Sequence, residues 1–241
     1  MVGINVTGGE EIFPGVLGTS IFKAFDYNVG RCGLSEKEAI SLGYNIETIL
    51  CPGPDKGHFY PTSNPIMIKL IAEQETHRIL GVQCIGPGDV SKRVDVLASC
   101  IMLKAKIDDL NYLDLSYAPP FSSPLDNINI SGHVWGNKVK GPISFITPKE
   151  VKKKMENKED FIFLDLRTKK ELEEVKLPGT INIPLGALRE RAKELPKDKE
   201  IIAFCKISLR GYEAALILSH MGFNKVKVMA VSYTHLTLPT N

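Results

Sequence analysis

Short apolar runs separated by polar or glycine-containing turns dominate the first half of the chain. A run of this kind predicts a β-strand, and a polar turn between two of them predicts an antiparallel hairpin. We therefore expect the last two strands to pair across the turn at residues 75–78. The predicted strands cover residues 19–27, 46–50, 65–72 and 79–85.

Helical signals interrupt these strands at several places. Ser35 followed three residues later by Glu38 is a capping-box pattern, and Gly43 predicts the end of the short helix that it opens. A further helical stretch is predicted to begin at Asp108. After Gly88 the apolar spacing lengthens to the period of an amphipathic helix. That apolar stripe consists of Val90, Val94, Leu97, Ile101 and Ala105.

The pattern changes after a polar, glycine-bracketed segment at residues 136–142, within which we place a linker at residues 139–142. Strands that are apolar along their whole length then alternate with helices, which predicts a parallel sheet covered on both faces. The predicted strands are 161–166, 181–183, 201–204 and 226–229, and the predicted helices are 148–156, 185–195 and 211–221. We therefore expect an α+β domain at residues 1–138 and an α/β domain at residues 143–230.

Composition and charge exclude several classes of protein. The 241 residues are 43% hydrophobic and 24% charged with a net charge of +2, so the chain is expected to be globular, with no charge-driven binding to nucleic acid or membranes. No apolar stretch approaches the roughly 20 residues that span a bilayer. The first residues also lack the features of a signal peptide, so we expect a cytoplasmic protein.

The cysteines and glycines narrow the possible cofactors. Five cysteines, an odd number, form no C-x-x-C pair, which argues against a metal site or redox dithiol and fits a reducing cytoplasm. The chain contains neither G-x-G-x-x-G nor the P-loop pattern. The nearest approach is Gly86-Pro87-Gly88, in which the proline cannot donate an N–H group. We expect this chain alone to hold no dinucleotide.

The sharpest chemical signal is a cysteine between a predicted strand and a predicted helix. Sites in α/β sheets lie at the carboxyl ends of strands, and a helix N-terminus attracts anions. Cys205 at this position is expected to favour its thiolate, the nucleophilic form. Arg210 can return over the same cavity to grip an oxyanion, and Lys206 adds positive charge. The alternative is that Cys205 is a buried apolar residue at a strand end; the strand–loop–helix context favours the nucleophile.

Three segments of the second half carry a resemblance to a known family. They are Asp165-Leu166-Arg167 at the end of a strand, residues 177–184, and the six-residue loop from Cys205 to Arg210. Residues 143–230 resemble a rhodanese domain. The resemblance implies that Cys205 accepts a sulfane sulfur as a persulfide and passes it to a thiophilic acceptor, and that Arg210 supports the loop. The implied substrate-binding residues are Lys206, Ile207, Ser208 and Leu209, with Asp165 and Arg167 more closely tied to fixing the loop.

Two departures from the rhodanese pattern affect what we expect of the loop. Position 208 is Ser where the family often has Gly, which strains the loop if the position requires a positive φ angle. Residues 175–177 replace the family's Gly-His-Ile. A related phosphatase group has a loop one residue longer, so the six-residue count favours sulfur over phosphate chemistry.

The first half also resembles a known family. The resembling segments are residues 14–20, 28–31, 79–83 and 117–122. They are similar to the C-terminal dimerisation domain of flavin-dependent pyridine nucleotide-disulfide oxidoreductases, closest to coenzyme A-disulfide reductases, NADH oxidases and persulfide reductases. The resemblance implies a homodimer formed through residues 1–138. It also implies a parent enzyme that uses FAD and NAD(P)H in domains outside this chain.

The same resemblance points to two tyrosines. Tyr117, in the Tyr-Ala-Pro-Pro-Phe segment, corresponds to a residue near the partner subunit's active cysteine in the family, and Tyr60 is a second candidate. A phenol could donate a proton or a hydrogen bond to a leaving thiolate. The alternative is that both are half-buried packing residues, and the sequence leaves the two interpretations equal.

Two functions remain at this point. The first is that the chain is the C-terminal part of a flavin-dependent disulfide or persulfide reductase, with sulfane-sulfur donors and coenzyme A-type thiol acceptors as partners of Cys205. The second is a non-catalytic dimerisation and interaction module. Residues 231–241 show no helical period, and we expect them to be a foreign tail on a shortened rhodanese domain.

Overall fold

A computed structural model describes residues 1–230. The chain divides into two compact units, Met1–Trp135 and Gly136–Asn241. Residues 231–241, which the sequence indicates to be a foreign tail, lie outside the described residues. None of the helices within residues 1–230 is long and apolar enough to cross a membrane.

The first unit is built around a five-stranded antiparallel sheet. The strand order is β1-β2-β5-β4-β3, and the predicted pairing of the strands on either side of residues 75–78 is confirmed. The elements are α1 (Val2–Val6), β1 (Ser20–Ala24), β2 (Tyr27–Gly33), α2 (Glu36–Ser41), β3 (Ile46–Pro54), β4 (Pro65–Glu73), β5 (Ile79–Gly86), α3 (Ser91–Met102), a 3-10 helix (Ile107–Tyr112) and α4 (Asn127–Val139). Residues 136–139 are therefore helical, so the first residue of the linker predicted at 139–142 belongs to α4.

One predicted strand of this unit is wrong. The pattern indicates a single strand over residues 19–27, but the chain reverses at Phe25-Asp26 and pairs Ala24 with Tyr27. Phe25 adopts a φ angle of 54°, a left-handed conformation that usually selects Gly, Asn or Asp. The turn lacks a glycine and contains an aromatic residue. The sequence pattern therefore gives no sign that the strand ends there.

Helix α3 covers one face of the sheet. The predicted stripe is confirmed at Val90, Val94, Leu97 and Ile101, which are buried in the core of this unit. Its last member, Ala105, lies beyond the end of α3 at Met102 and is only partly buried. The close approach of helix and sheet requires a glycine in β2. A Cβ atom at Gly30 would lie 2.7 Å from Cγ2 of Val94, closer than two carbon atoms can pack.

A buried charged cluster lies at the start of α3. Arg93 is fully buried, and its Nη2 donates to Oδ2 of the buried Asp126 at 2.7 Å and also to the carbonyl oxygen of Asp55. Its Nη1 donates to the carbonyl of Asp89 at 3.1 Å. The hydroxyl of Ser122 donates to Asp126 Oδ2 at 2.8 Å. The guanidinium therefore ties α3 to the segment that follows β3 and to the segment that precedes α4.

The second unit contains a five-stranded parallel sheet with the order β6-β10-β9-β7-β8, which confirms the predicted sheet type. Its elements are β6 (Ser144–Ile146), α5 (Pro148–Glu156), β7 (Phe161–Asp165), α6 (Lys169–Glu174), β8 (Thr180–Asn182), a 3-10 helix (Leu185–Ala187), α7 (Leu188–Arg191), a 3-10 helix (Ala192–Glu194), β9 (Glu200–Phe204), α8 (Leu209–His220) and β10 (Val226–Met229).

The sequence prediction for this unit is correct in outline and incomplete in detail. The helix predicted at residues 148–156 is confirmed as α5, which has Pro148 in its first turn and a capping box between Thr147 and Glu150. Residues 185–195, predicted as one helix, form instead a short α-helix between two 3-10 turns. Strand β6 and helix α6 were not predicted, because three and six residues are too few to establish a period.

Strand β9 is buried on both faces. Ile201 and Ala203 join the core cluster on one face, and Ile202 and Phe204 join the cluster on the other. This follows from the two-residue alternation of side chains along a strand. The carboxyl end of β9 is therefore a fixed point from which the next residues leave the sheet.

The Arg93 cluster generates a prediction for stability. Asp126→Asn removes the closer of the two carboxylates that pair with the buried Arg93, the other being Asp89 at 3.6 Å, so we expect a loss of about 3 kcal/mol in the free energy of unfolding of the first unit. Trp135, the single tryptophan of the chain, is fully buried in this unit, so its fluorescence during urea unfolding reports on this unit.

Asp95→Asn is the matched control. Asp95 lies on the exposed face of the same helix, and its substitution should change stability by no more than about 0.5 kcal/mol. Equal small effects of the two substitutions would show that Asp126 does not compensate Arg93.

Candidate active site at the Cys205 loop

Cys205 is the first residue after the central strand of the parallel sheet. β9 lies between β10 and β7, and residues 205–208 connect it directly to α8. The strand–loop–helix arrangement that the sequence predicts is therefore present. The first amide groups of a helix have no partner within the helix, so this loop offers N–H donors and the positive end of the α8 dipole to an anion.

The Cys205 side chain is 0% exposed and belongs to the core cluster that includes Leu166, Ile183 and Leu188. The burial fits the alternative interpretation of Cys205 as a core residue, and its place at the start of the loop fits the nucleophile. A reacting sulfur atom would have to enter the loop to meet this thiol, because the thiol does not extend to the surface.

Ser208 sets the shape of the loop. Its φ angle is 69° and its ψ angle is −21°, so it occupies the left-handed region, and it is the residue before the first turn of α8. This is the positive φ that makes serine a strained replacement for glycine, at a cost of about 1–2 kcal/mol. Its Oγ donates to the carbonyl oxygen of Met229 at 3.0 Å, which fastens the loop to the end of β10.

Arg210 is held by a residue that sequence reasoning missed. Its Nη1 and Nη2 donate to Oε2 and Oε1 of Glu171 at 2.8 and 2.7 Å, a bidentate ion pair. Glu171 in turn accepts from the backbone N–H and the hydroxyl of Thr168, both at 2.9 Å. The sequence does contain a capping-box pattern, Thr168-x-x-Glu171, which could have predicted the start of α6 at these residues.

The ion pair has clear electrostatic consequences. Hydrogen bonding from Arg210 is the largest influence on Glu171 and lowers the pKa of its carboxyl group to about 2. The pKa of Arg210 is raised chiefly by the same hydrogen bonds, with a further contribution from Cys205 nearby. Arg210 was predicted to grip an oxyanion, but its guanidinium is occupied by Glu171, which is the geometry of a loop support.

Asp165 and Arg167 form a second ion pair behind the loop. Both are fully buried, and Oδ2 of Asp165 accepts from Arg167 Nη2 at 2.7 Å and from Nε at 3.1 Å. The guanidinium carbon lies 5.9 Å from the centre of the Phe204 ring. Asn182 donates to the carbonyls of both charged residues at 3.0 and 2.9 Å. Both residues were predicted to bind substrate, but neither side chain reaches the surface. Their contacts stabilise the end of β7 beside β9.

The remaining loop side chains lie at the surface. Lys206 is exposed, and Ile207 and Leu209 are 45% and 57% exposed. Lys206 and Ile207 lie in the loop itself, and Leu209 is the first residue of α8. The loop therefore has a buried sulfur atom at its base and one cationic and two apolar side chains at its rim.

Tyr60 and Tyr117 belong to the first unit. Tyr60 is half-buried in the turn after β3, and Tyr117 is 48% exposed in the segment before α4. The two segments are joined by a hydrogen bond from the N–H of Gly57 to the carbonyl of Pro119 at 3.3 Å. The buried Arg93 cluster holds the bases of both segments. Their role in proton transfer stays a prediction.

The glycine turn at residues 86–88 does not fit a nucleotide phosphate. A Cβ atom at Gly88 would lie 2.8 Å from Cγ of the Asp55 carboxyl group, and one at Gly86 would lie 2.3 Å from the carbonyl oxygen of Pro65. A carboxylate and a carbonyl oxygen would repel a phosphate. This turn therefore does not fit the phosphate groups of FAD or NAD(P)H.

Comparison with protein families matches both units. Residues 19–127 match the pyridine nucleotide-disulphide oxidoreductase dimerisation domain, and residues 147–237 match the rhodanese-like domain. The CoA-dependent NAD(P)H sulfur oxidoreductase of Pyrococcus furiosus is 39% identical over 134 residues, 56% of this chain and 30% of the relative. Coenzyme A disulfide reductase of Staphylococcus epidermidis is 32% identical over 130 residues, 54% of this chain and 29% of the relative.

Two solved structures match both units together. The NAD-dependent persulfide reductase from A. fulgidus is 41% identical with a TM-score of 0.86, covering 96% of this chain and 42% of that one. The reduced CoADR-RHD of Bacillus anthracis is 36% identical with a TM-score of 0.88, covering 96% and 41%. This chain thus spans less than half the length of these relatives. It carries a pyridine nucleotide-disulphide oxidoreductase dimerisation domain followed by a rhodanese-like domain, as the sequence resemblance predicts.

Proposed function

We propose that Cys205 carries sulfane sulfur as a persulfide, within the dimerisation and sulfur-carrying part of an NAD(P)H-dependent persulfide or coenzyme A-disulfide oxidoreductase. The observation that carries the proposal is the position of the thiol at the base of a six-residue loop whose Arg210 is fixed by Glu171. The names of the relatives, a CoA-dependent sulfur oxidoreductase and a persulfide reductase, support the sulfur chemistry.

The proposed transfer takes place in two displacements. The Cys205 thiolate attacks the sulfane sulfur of a donor, a new S–S bond forms, and the electron pair of the donor's own S–S bond leaves with the rest of the donor. An acceptor nucleophile then attacks the outer sulfur of the persulfide and releases the Cys205 thiolate. The helix dipole and free amides at the start of α8 stabilise the anionic sulfur in both steps.

The complete enzyme would add a reductase reaction. FAD and NAD(P)H would bind in the parts of the relatives that this chain does not span, and a coenzyme A-type thiol would be the sulfur acceptor. Residues 1–138 would form a homodimer in which Tyr117 and Tyr60 donate protons to a leaving thiolate of the partner subunit. All five cysteines are free, so we place the protein in a reducing compartment such as the cytoplasm.

A second candidate is a non-catalytic dimerisation and interaction module. It is favoured by the apolar side chains that the β1–β2 hairpin exposes, namely Ile21, Phe22, Phe25 and Tyr27. A surface of this kind is typical of an interface. The two candidates differ in whether the purified chain transfers sulfur at all.

Replacement of the thiol tests the proposal directly. We expect the purified chain to convert thiosulfate and cyanide to sulfite and thiocyanate, and Cys205→Ser to abolish this activity because serine cannot form a persulfide. Mass spectrometry of the donor-treated chain should show one added sulfur atom on Cys205. Cys100→Ser, a buried cysteine of the first unit, serves as the control and should retain activity. An inactive wild-type chain without a persulfide would leave only the dimerisation module.

The Glu171–Arg210 ion pair predicts a pH-dependent stability of the loop. Glu171→Gln removes the anionic partner of Arg210, and we expect the second unit to lose about 1–2 kcal/mol at pH 7. Because the pKa of Glu171 falls from 4.5 to about 2 on folding, this difference should be constant above the higher value and shrink as the pH falls toward the lower one.

Amide hydrogen exchange in β9 and α8 measures this loss in the second unit. Glu173→Gln, an exposed glutamate on the same helix, is the control and should show no such difference. A stability difference for Glu171→Gln that did not depend on pH in this range would contradict the assignment of the ion pair as its source.

A further inference from the structure

The rim of the Cys205 loop, which consists of the exposed residues Lys206, Ile207 and Leu209, has two apolar side chains and one charged one. Ile207 and Leu209 are 45% and 57% exposed, whereas the thiol between the loop and the core is 0% exposed. Isoleucine and leucine side chains in water gain free energy when another apolar group covers them. The two side chains follow Cys205 by two and four residues, so we expect them to contact the part of a donor that stays outside the loop.

The positive charge of the loop is smaller than its sequence indicates. Both terminal nitrogens of Arg210 donate to Glu171, so this pair contributes no net charge at the entrance. Lys206 is the remaining cationic side chain of residues 205–210. A doubly charged anion such as thiosulfate would therefore be only partly compensated, whereas one negative charge is matched by Lys206 and the helix amides.

Because the thiol is buried, the two parts of a donor, its sulfane sulfur and the group bonded to that sulfur, would contact different parts of the loop. The sulfane sulfur has to enter the loop to reach Cys205, and the group bonded to it is left at the rim. We infer that Ile207 and Leu209 determine specificity for organic sulfane-sulfur donors that carry an apolar group next to the sulfur and at most one negative charge. This inference rests on the proposed sulfur transfer at Cys205 and adds the substrate class to it.

The step can be written for the organic thiosulfonates that serve as probes. The Cys205 thiolate attacks the outer sulfur of the thiosulfonate, the S–S bond to the sulfonyl sulfur breaks, and its electron pair leaves with the sulfinate. The products are the Cys205 persulfide anion and a sulfinate, so atoms and charge balance without an external oxidant or reductant. Cyanide then removes the outer sulfur as thiocyanate and restores the thiolate.

The test compares three donors in the full chain with cyanide as acceptor. Thiosulfate carries two charges and no apolar group, methanethiosulfonate carries one charge and a methyl group, and benzenethiosulfonate carries one charge and a phenyl ring. We expect kcat/KM to rise in that order, by about tenfold from the first to the last after correction for the uncatalysed reaction of each donor with a small thiol. A chain that prefers thiosulfate, or that shows no preference, would overturn the inference.

Variants at the rim separate side-chain contact from leaving-group reactivity. In Ile207→Ser and Leu209→Ser, the ratio of kcat/KM for benzenethiosulfonate to that for thiosulfate should fall about tenfold, which corresponds to about 1.4 kcal/mol. Both side chains are exposed, so little stability should be lost. Ile181→Ser is the matched control, because Ile181 is a 40% exposed isoleucine on β8 of the same unit, and it should keep the wild-type ratio.

The outcomes distinguish this inference from the function on which it rests. An unchanged donor ratio in both rim variants, with sulfur transfer intact, would show that Ile207 and Leu209 do not select the donor. Failure of all three donors to produce thiocyanate, together with no added sulfur on Cys205, would instead overturn the proposed sulfur transfer itself. The wild-type donor series decides the question even if a variant fails to fold.

Discussion

The need to bury both faces of β9 governs the arrangement of the second unit. A strand between two parallel neighbours has its backbone groups paired on both sides, so the chain can leave the sheet only at the end of the strand. Cys205 is the first residue after β9, and its position is fixed by the packing of Ile201 to Phe204. In the four-residue connection to α8, Ser208 adopts a left-handed conformation. The buried thiol and the left-handed turn therefore both lie directly after the end of β9.

The features that sequence reasoning recovered are those with a local physical signature. The capping box at Ser35, the stripe on α3 and the apolar parallel strands each depend on residues close together in the chain. The hairpin at Phe25 was not predicted, because its turn has an aromatic residue where a glycine or an asparagine is expected. Glu171 was not predicted as a site residue for another reason. Its capping box is local, but its contact with Arg210 spans 39 residues and exists only once β7 and β9 are side by side.

The two units combine polar groups in different ways. In the first unit, one buried guanidinium holds three separate segments together, including those that carry Tyr60 and Tyr117. In the second unit, each arginine near the loop has a single carboxylate as its main partner, and one of these pairs is partly exposed. Comparison with relatives explains the presence of both units in one chain, because two solved structures align with 96% of it. Those relatives are more than twice as long as this chain.

The buried pair of Asp165 and Arg167 has a consequence for how this site can change. Its two charges are only two residues apart, so the pair closes without any long-range ordering of the chain and enters the core as a neutral unit. Loss of either side chain alone would leave a charge in an apolar environment, which is far more costly than loss of both. The two positions are therefore expected to change together or not at all. A substitution of both residues by apolar side chains is therefore expected to cost this site less than the loss of either charge alone.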